Sequence, residues 1–172
     1  NHALISSSIG VYNVPQPQRG VVYAYQLNEG NWGLVEAFEY YDTSVSIATL
    51  GYSIGMSGDV AAMGTDRNRT VSIYRLVDGS WEFEQVFANA GISTFGYRVA
   101  VEGNYVLASA ETGTVSGGQS TSGFVNLYKY DNDEWALDQT IAPSDAVYGG
   151  AFGKSIALNQ GRILAGSPDY NS

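Results

Sequence analysis

Oxygen-bearing side chains at alternating positions are the densest chemistry in this chain. Asp66, Asn68 and Thr70 read Asp-x-Asn-x-Thr, Asp169 and Asn171 repeat the first half of that spacing, and Asp131 to Glu134 reads Asp-Asn-Asp-Glu. A hard cation such as calcium takes about six to eight oxygen ligands, more than any of these groups offers. The same spacings form Asx turns, in which the side chain bonds the backbone two residues on and no ion is needed. The expectation is therefore no cofactor and no metal, with Asp66, Asn68, Asp169 and Asn171 the positions where calcium would bind. The Asp131 group stands where other stretches read Val-Asp-Gly-Ser and Asn-Glu-Gly-Asn, which makes it a hairpin turn.

Catalysis by a protein side chain needs a nucleophile beside a base, or carboxylates held in different environments. The single histidine, His2, stands at the ragged start of the chain and there is no cysteine, so no catalytic residue is expected and the chain reads as non-enzymatic. Asn68-Arg69-Thr70 is a glycosylation sequon on a surface link, to be used if the protein is secreted by a eukaryote. Of the 13 tyrosines, Tyr25, Tyr74 and Tyr128 recur in register and read as structural. Tyr12, Tyr40, Tyr41, Tyr148 and Tyr170 fall outside the repeated columns and are the candidate ligand surface, for protein contacts or for stacking on sugar rings.

Those residues must be positioned by strands. Phe152 to Pro168 holds two short apolar runs hinged on a polar turn, a hairpin pattern, and Phe95 to Glu111 and Leu50 to Asp66 align with it without a gap. Gly51, Gly96 and Gly153 share one column. A second block keeps step: Val22, Val71 and Val125 stand three residues before Tyr25, Tyr74 and Tyr128, which stand seven before Trp32, Trp81 and Trp135. Tryptophan spacings of 49 and 54 residues with four strand-sized runs per unit point to propeller blades. No amphipathic stretch is long enough for a helical repeat. Strand count along the chain is three, four, four and two, with Val14 to Arg19 and Tyr41 to Thr49 as connections and a Gly/Ser/Thr loop inserted at Thr112 to Ser122. His2 to Ser8 matches Arg162 to Pro168, so joining the two ends into one blade leaves a surplus strand. The ring would be completed by more of the polypeptide or by another chain, and an end-to-end stack is the alternative.

The formal charge is -9, from 17 acidic and 8 basic residues, so the surface repels a phosphate backbone and nucleic acid is not an expected partner. No run reaches the ~18 apolar residues of a membrane span. Asn1 is neither a Met nor part of a signal-peptide pattern, which suggests processing or an incomplete sequence.

Phe152-Gly153, Ser155-Ile156-Ala157 and Gly166-Ser167-Pro168, followed in phase by Gly20-Val21-Val22-Tyr23-Ala24-Tyr25 and Gly123-Phe124-Val125-Asn126-Leu127-Tyr128 and a Trp, resemble the FG-GAP repeat. The resemblance covers essentially the whole chain; Leu50 replaces Phe, Ser109-Ala110-Glu111 replaces Gly-Ala-Pro, and Gly64-Thr65-Asp66 keeps only the Gly. It implies an all-β fold, an integrin-α-like β-propeller segment of four-stranded antiparallel blades over 1-172. The units are about 1-49 (partial), 50-94, 95-151 and 152-172 (partial). It also implies an extracellular or cell-surface place and a role in adhesion or protein binding, or as a structural unit of a surface assembly. Partners would be other protein chains or the rest of the propeller. A carbohydrate-binding lectin is the alternative, and a hydrolase propeller a more distant one. The family's calcium loops do not carry over, since the corresponding turns are only Ser57-Gly58-Asp59, Glu102-Gly103-Asn104 and Asn159-Gln160-Gly161. Each Trp is expected to fill the wide outer gap between blades.

Overall fold

The computed structural model describes residues 1-7, 18-39, 47-66, 68-89, 91-92, 94-113, 122-145 and 148-169. Every regular element among them is a strand: β1 (His2–Ser7), β2 (Gln18–Arg19), β3 (Val21–Asn28), β4 (Asn31–Glu39), β5 (Ile47–Ala48), β6 (Leu50–Ser57), β7 (Val60–Thr65), β8 (Thr70–Val77), β9 (Ser80–Ala88), β10 (Phe95–Glu102), β11 (Tyr105–Ala110), β12 (Phe124–Asp131), β13 (Glu134–Ile141), β14 (Ser155–Asn159) and β15 (Arg162–Gly166). Antiparallel pairing groups them into sheet I (β1-β3-β4), sheet II (β6-β7-β8-β9), sheet III (β10-β11-β12-β13) and sheet IV (β14-β15). The fold is all-β, with two complete four-stranded meanders. A parallel pair, β2 with β5, joins Gln18 to Ile47 and Arg19 to Ala48. That pair lies where connections were expected, because two-residue bridges carry no hydrophobic period for a sequence reading to detect.

The turns follow from residues that tolerate left-handed backbone. Glu29-Gly30, Asp78-Gly79 and Asn132-Asp133 all have positive φ, at 50° and 84°, 50° and 90°, and 52° and 60°, the geometry of two-residue primed turns that match strand twist. Asp131 to Glu134 is thus the hairpin turn the sequence suggested.

Sheets I to IV lie face to face in sequence order, each face meeting the next through one apolar cluster. Val22, Ala24 and Phe38 of sheet I meet Ala61, Met63 and Trp81 of sheet II. Val71, Ile73 and Phe87 of sheet II meet Val106, Ala108, Tyr128 and Trp135 of sheet III. Leu107, Val125 and Leu127 of sheet III meet Ile156, Leu158, Ile163 and Ala165 of sheet IV. Strands β7 and β11 are apolar on both faces because a sheet lies on each side of them.

One glycine column explains why the two repeated sequence blocks keep step. Gly51, Gly96 and Gly153 have φ of 80°, 87° and 88°, and an added Cβ would lie 2.6, 3.2 and 3.0 Å from Cγ2 of Val22, Val71 and Val125 respectively. The glycine that opens one sheet therefore rests on the valine of the sheet before it. Gly64 is held small for the same kind of reason, since a Cβ there would stand 2.0 Å from the Gly96 carbonyl oxygen.

The tryptophans depart from expectation at one position. Trp81 and Trp135 are 4% and 2% exposed, but Trp32 is 51% exposed. Each buried ring lies against the sheet preceding its own, and no described sheet precedes sheet I. His2 is likewise not frayed: it is paired with Gln26 in β1, and its ring meets the Trp81 ring edge-on at 5.9 Å.

Candidate interaction surfaces

A register irregularity recurs at one place in sheets I, II and III, between Ala24 and Tyr25, Ile73 and Tyr74, and Leu127 and Tyr128. On the outer strand opposite, Val35, Glu84 and Asp138 are the unpaired extra residues of the resulting bulge. The bulge turns one side chain toward the next sheet. Glu84 uses it: its carboxylate accepts from Trp135 Nε1 at 2.8 Å and from Arg75 Nε at 2.8 Å. Neighbouring Gln85 accepts from the Trp135 backbone N–H at 3.3 Å and donates to the Trp135 carbonyl at 2.9 Å. The sheet I to II junction repeats part of this, with Glu36 accepting from the Trp81 N–H at 3.2 Å. Val35 offers no acceptor, and Trp81 Nε1 is buried without a hydrogen-bond partner. Arg75 also reaches Asp59 at 3.4 Å and covers the Tyr130 ring at 4.4 Å.

The tyrosine column closes the same junctions. Phe87 stacks on Tyr128 with ring centres 3.7 Å apart, and Phe38 meets Tyr74 at 4.8 Å. Both phenols are held above their ordinary pKa. Burial is the main cause in each; Glu36 adds its charge at Tyr74, and the hydrogen bond from Asn126 opposes the shift at Tyr128.

The short hairpin turns also link neighbouring sheets. Ser57 Oγ accepts from Gly103 N–H at 3.1 Å, and the Glu102 carboxylate accepts from Gln160 and Gly161 N–H at 2.5 and 3.2 Å. Ser57 and Glu102 thus spend their oxygens on the backbone of the following turn, while the Asp59 carboxylate faces Arg75.

The candidate cation positions do not converge. Asp66 accepts from the Thr49 hydroxyl, and Asp169 pairs with Lys154 Nζ at 3.0 Å. Among the described residues no three His, Cys, Asp or Glu side chains gather as a metal site would require; Asn171 lies outside the described residues. Both polar atoms of the Asn68 side chain are buried without a hydrogen-bond partner, so a glycan on Nδ2 requires the link between β7 and β8 to open. Tyr148 is 83% exposed; Tyr12, Tyr40, Tyr41 and Tyr170 lie outside the described residues, as does most of the Thr112 to Ser122 loop. No helix among the described residues is long and apolar enough to cross a membrane.

Two surfaces emerge only from the fold. Tyr52 and Tyr97, one residue past the glycine column, meet at 4.8 Å, with the Arg98 guanidinium 6.0 Å from the Tyr52 ring. Their matching positions in the repeat were the available signal. The outer face of sheet IV holds a shallow depression of about 220 Å³ lined by Ser155, Ile156, Ala157, Leu164 and Gly166, with Leu164 72% exposed.

No family model matches this chain, and no curated protein matches it.

Proposed function

We propose that this chain is a segment of an FG-GAP-type β-propeller, non-enzymatic and extracellular, that serves adhesion or protein–protein interaction or is a building unit of a surface assembly. The observation that carries this reading is the recurrence of one junction chemistry along the row of sheets: glycine on valine, phenylalanine on tyrosine, and tryptophan on the bulged outer strand. Radially packed blades make this demand, narrow toward the first strands and wide toward the fourth. Close backbone approach between sheets is concentrated on the first two strands of each, β10 with β6 and β7, and β10 with β14, while large rings fill the space between the outer ones.

Polar side chains at the junctions are occupied in holding sheets together, which supports a scaffold role and leaves recognition to exposed rings and loops. Antibody staining of intact source cells tests the surface assignment; signal confined to permeabilised cells refutes it. Beads coated with the chain should adhere to such cells, and replacing the exposed Tyr52 by Ala tests whether the Tyr52–Tyr97 pair takes part. A second reading, glycan binding, draws on that same tilted pair of rings beside Arg98, since sugars stack on aromatic faces. A glycan array without binding at millimolar sugar removes it.

A further inference from the structure

Two turns of the same build hold Tyr52 and Tyr97. Each tyrosine follows a glycine of the repeated column, with φ of 80° at Gly51 and 87° at Gly96, and each backbone N–H donates to a threonine carbonyl, Tyr52 to Thr49 at 3.3 Å and Tyr97 to Thr94 at 3.2 Å. The strands they belong to, β6 and β10, lie in different sheets but are drawn together. Ser53 Oγ donates to the Gly96 carbonyl at 2.8 Å, and a Cβ on Gly55 would stand 3.1 Å from Val101 Cγ2. Both side chains therefore leave fixed backbones side by side, and their ring centres lie 4.8 Å apart with the planes tilted by 45°. Two ring radii and one carbon–carbon single bond together fall just short of that separation, and a tilt of this order is what the hydrogens beside the joining bond impose on two directly bonded rings. Stacked faces, as in Phe87 on Tyr128 at 3.7 Å and 4°, would have to turn before their edges could join. Among the described residues no other two tyrosine rings meet. Tyr52 is 41% exposed, so an oxidant reaches it from solvent. Sheet IV carries Lys154 in the same column, and the chain contains no cysteine, so the disulfide that commonly staples extracellular proteins is closed to it.

We propose that Tyr52 and Tyr97 are a site of oxidative coupling, joined by a haem peroxidase and hydrogen peroxide into a dityrosine that staples sheet II to sheet III. Each phenol gives up its O–H hydrogen as one electron and one proton and becomes a phenoxyl radical. The two unpaired electrons form a carbon–carbon bond between a Cε of Tyr52 and a Cε of Tyr97. The hydrogen on each of those carbons then moves to the phenol oxygen, which restores both rings. One hydrogen peroxide is reduced to two waters, and the chain ends two hydrogen atoms lighter. Coupling within the chain outruns coupling between chains, because each ring meets the other at an effective concentration far above that of dilute protein. The closed loop from Tyr52 to Tyr97 then removes conformational freedom from the unfolded chain as a disulfide does. This inference rests on the extracellular reading for its oxidant and on the ring geometry for its site.

Treated with a haem peroxidase and hydrogen peroxide in dilute solution, the whole chain should lose the mass of two hydrogen atoms without gaining a partner, acquire dityrosine fluorescence, and yield on proteolysis one linked peptide pair holding Tyr52 and Tyr97. Its melting temperature should rise by roughly 5–15 °C, the effect of closing a loop of this length in a chain of this size. Tyr52→Phe and Tyr97→Phe each keep the ring but lack the hydroxyl hydrogen, so neither should form the link while its β-sheet circular dichroism stays that of the wild type. Tyr105→Phe, at the opposite end of the β10–β11 pair, should couple like the wild type. Chain recovered from the surface of source cells should carry the same linked pair. Links spread over other tyrosines, dimers in place of an internal link, a Tyr52→Phe variant that couples like the wild type, an unchanged melting temperature, or surface-recovered chain without the linked pair overturns the proposal. Each of those results leaves a surface-stained propeller segment standing, whereas staining confined to permeabilised cells removes the surface reading and leaves the coupling of the purified chain as measured.

Discussion

Val35→Glu should stabilise this protein, because it supplies an acceptor that one junction has and its neighbour lacks. Trp135 Nε1 donates to Glu84, whereas Trp81 Nε1 is buried with no partner and Val35 occupies the bulge position equivalent to Glu84. A buried unpaired N–H costs about 1–3 kcal/mol, and a hydrogen bond to a charged group contributes about 1.5–3 kcal/mol. Against this stand the glutamate's lost rotamer freedom, up to about 2 kcal/mol, and the burial of part of the valine it replaces, which is small because Val35 is 44% exposed. The neighbouring Glu36 and the net charge of -9 reduce the gain further. The balance is about 1 kcal/mol in favour of the variant, a rise in melting temperature of roughly 2–4 °C for a chain of this size. Urea unfolding of Val35→Glu, of Trp81→Phe and of the double variant measures the pairwise term. The gain should vanish when residue 81 carries no indole N–H. An equal gain in the Trp81→Phe background, or none in the wild type, refutes the account of the bulge as the acceptor that reaches the next sheet.

The opposite change, Glu84→Val, should cost about 2–4 kcal/mol in the same unfolding assay, since it leaves both the Trp135 indole and the Arg75 guanidinium without an acceptor they now share. Gly96→Ala forces an alanine to a φ of 87° and places Cβ 2.6 Å from the Thr70 carbonyl oxygen; strain and displacement together should exceed about 2 kcal/mol, read as a lowered urea midpoint, and a loss below ~0.5 kcal/mol counts against the glycine–valine contact. Tyr74 and Tyr128 have native pKa values raised above those of the unfolded chain, so their contribution is complete below about pH 10 and is lost as pH rises through the native values. Tyr128→Phe should therefore flatten the decline in stability between about pH 9 and pH 11, measured as urea midpoints across that range. Glu102→Ala should cost no more than ~1 kcal/mol at its exposed turn, yet should quicken hydrogen exchange at Gln160 and Gly161, the two N–H groups it accepts from.

The four-strand period, the hairpin turns and the all-β class were legible because each is fixed locally. Asp78-Gly79 can turn only a tight hairpin, and apolar runs cut every few residues by Gly, Asn or Asp cannot make a helix. Even the step between sequence blocks was visible, as glycine, valine, tyrosine and tryptophan columns. Their purpose was not. That Gly96 rests on Val71, or that Phe87 stacks on Tyr128, joins residues of different repeats, and a period states only that such residues recur. The bulge that aims Glu84 at Trp135 has no composition of its own, so nothing in the spelling separates Glu84 from any exposed strand glutamate. The same holds for burial. Trp32, Trp81 and Trp135 are indistinguishable in sequence context, and their exposure is decided by whether a sheet lies in front of each one. Local rules determined the strands; the stacking order of the sheets decided which of their side chains became core, latch or open surface.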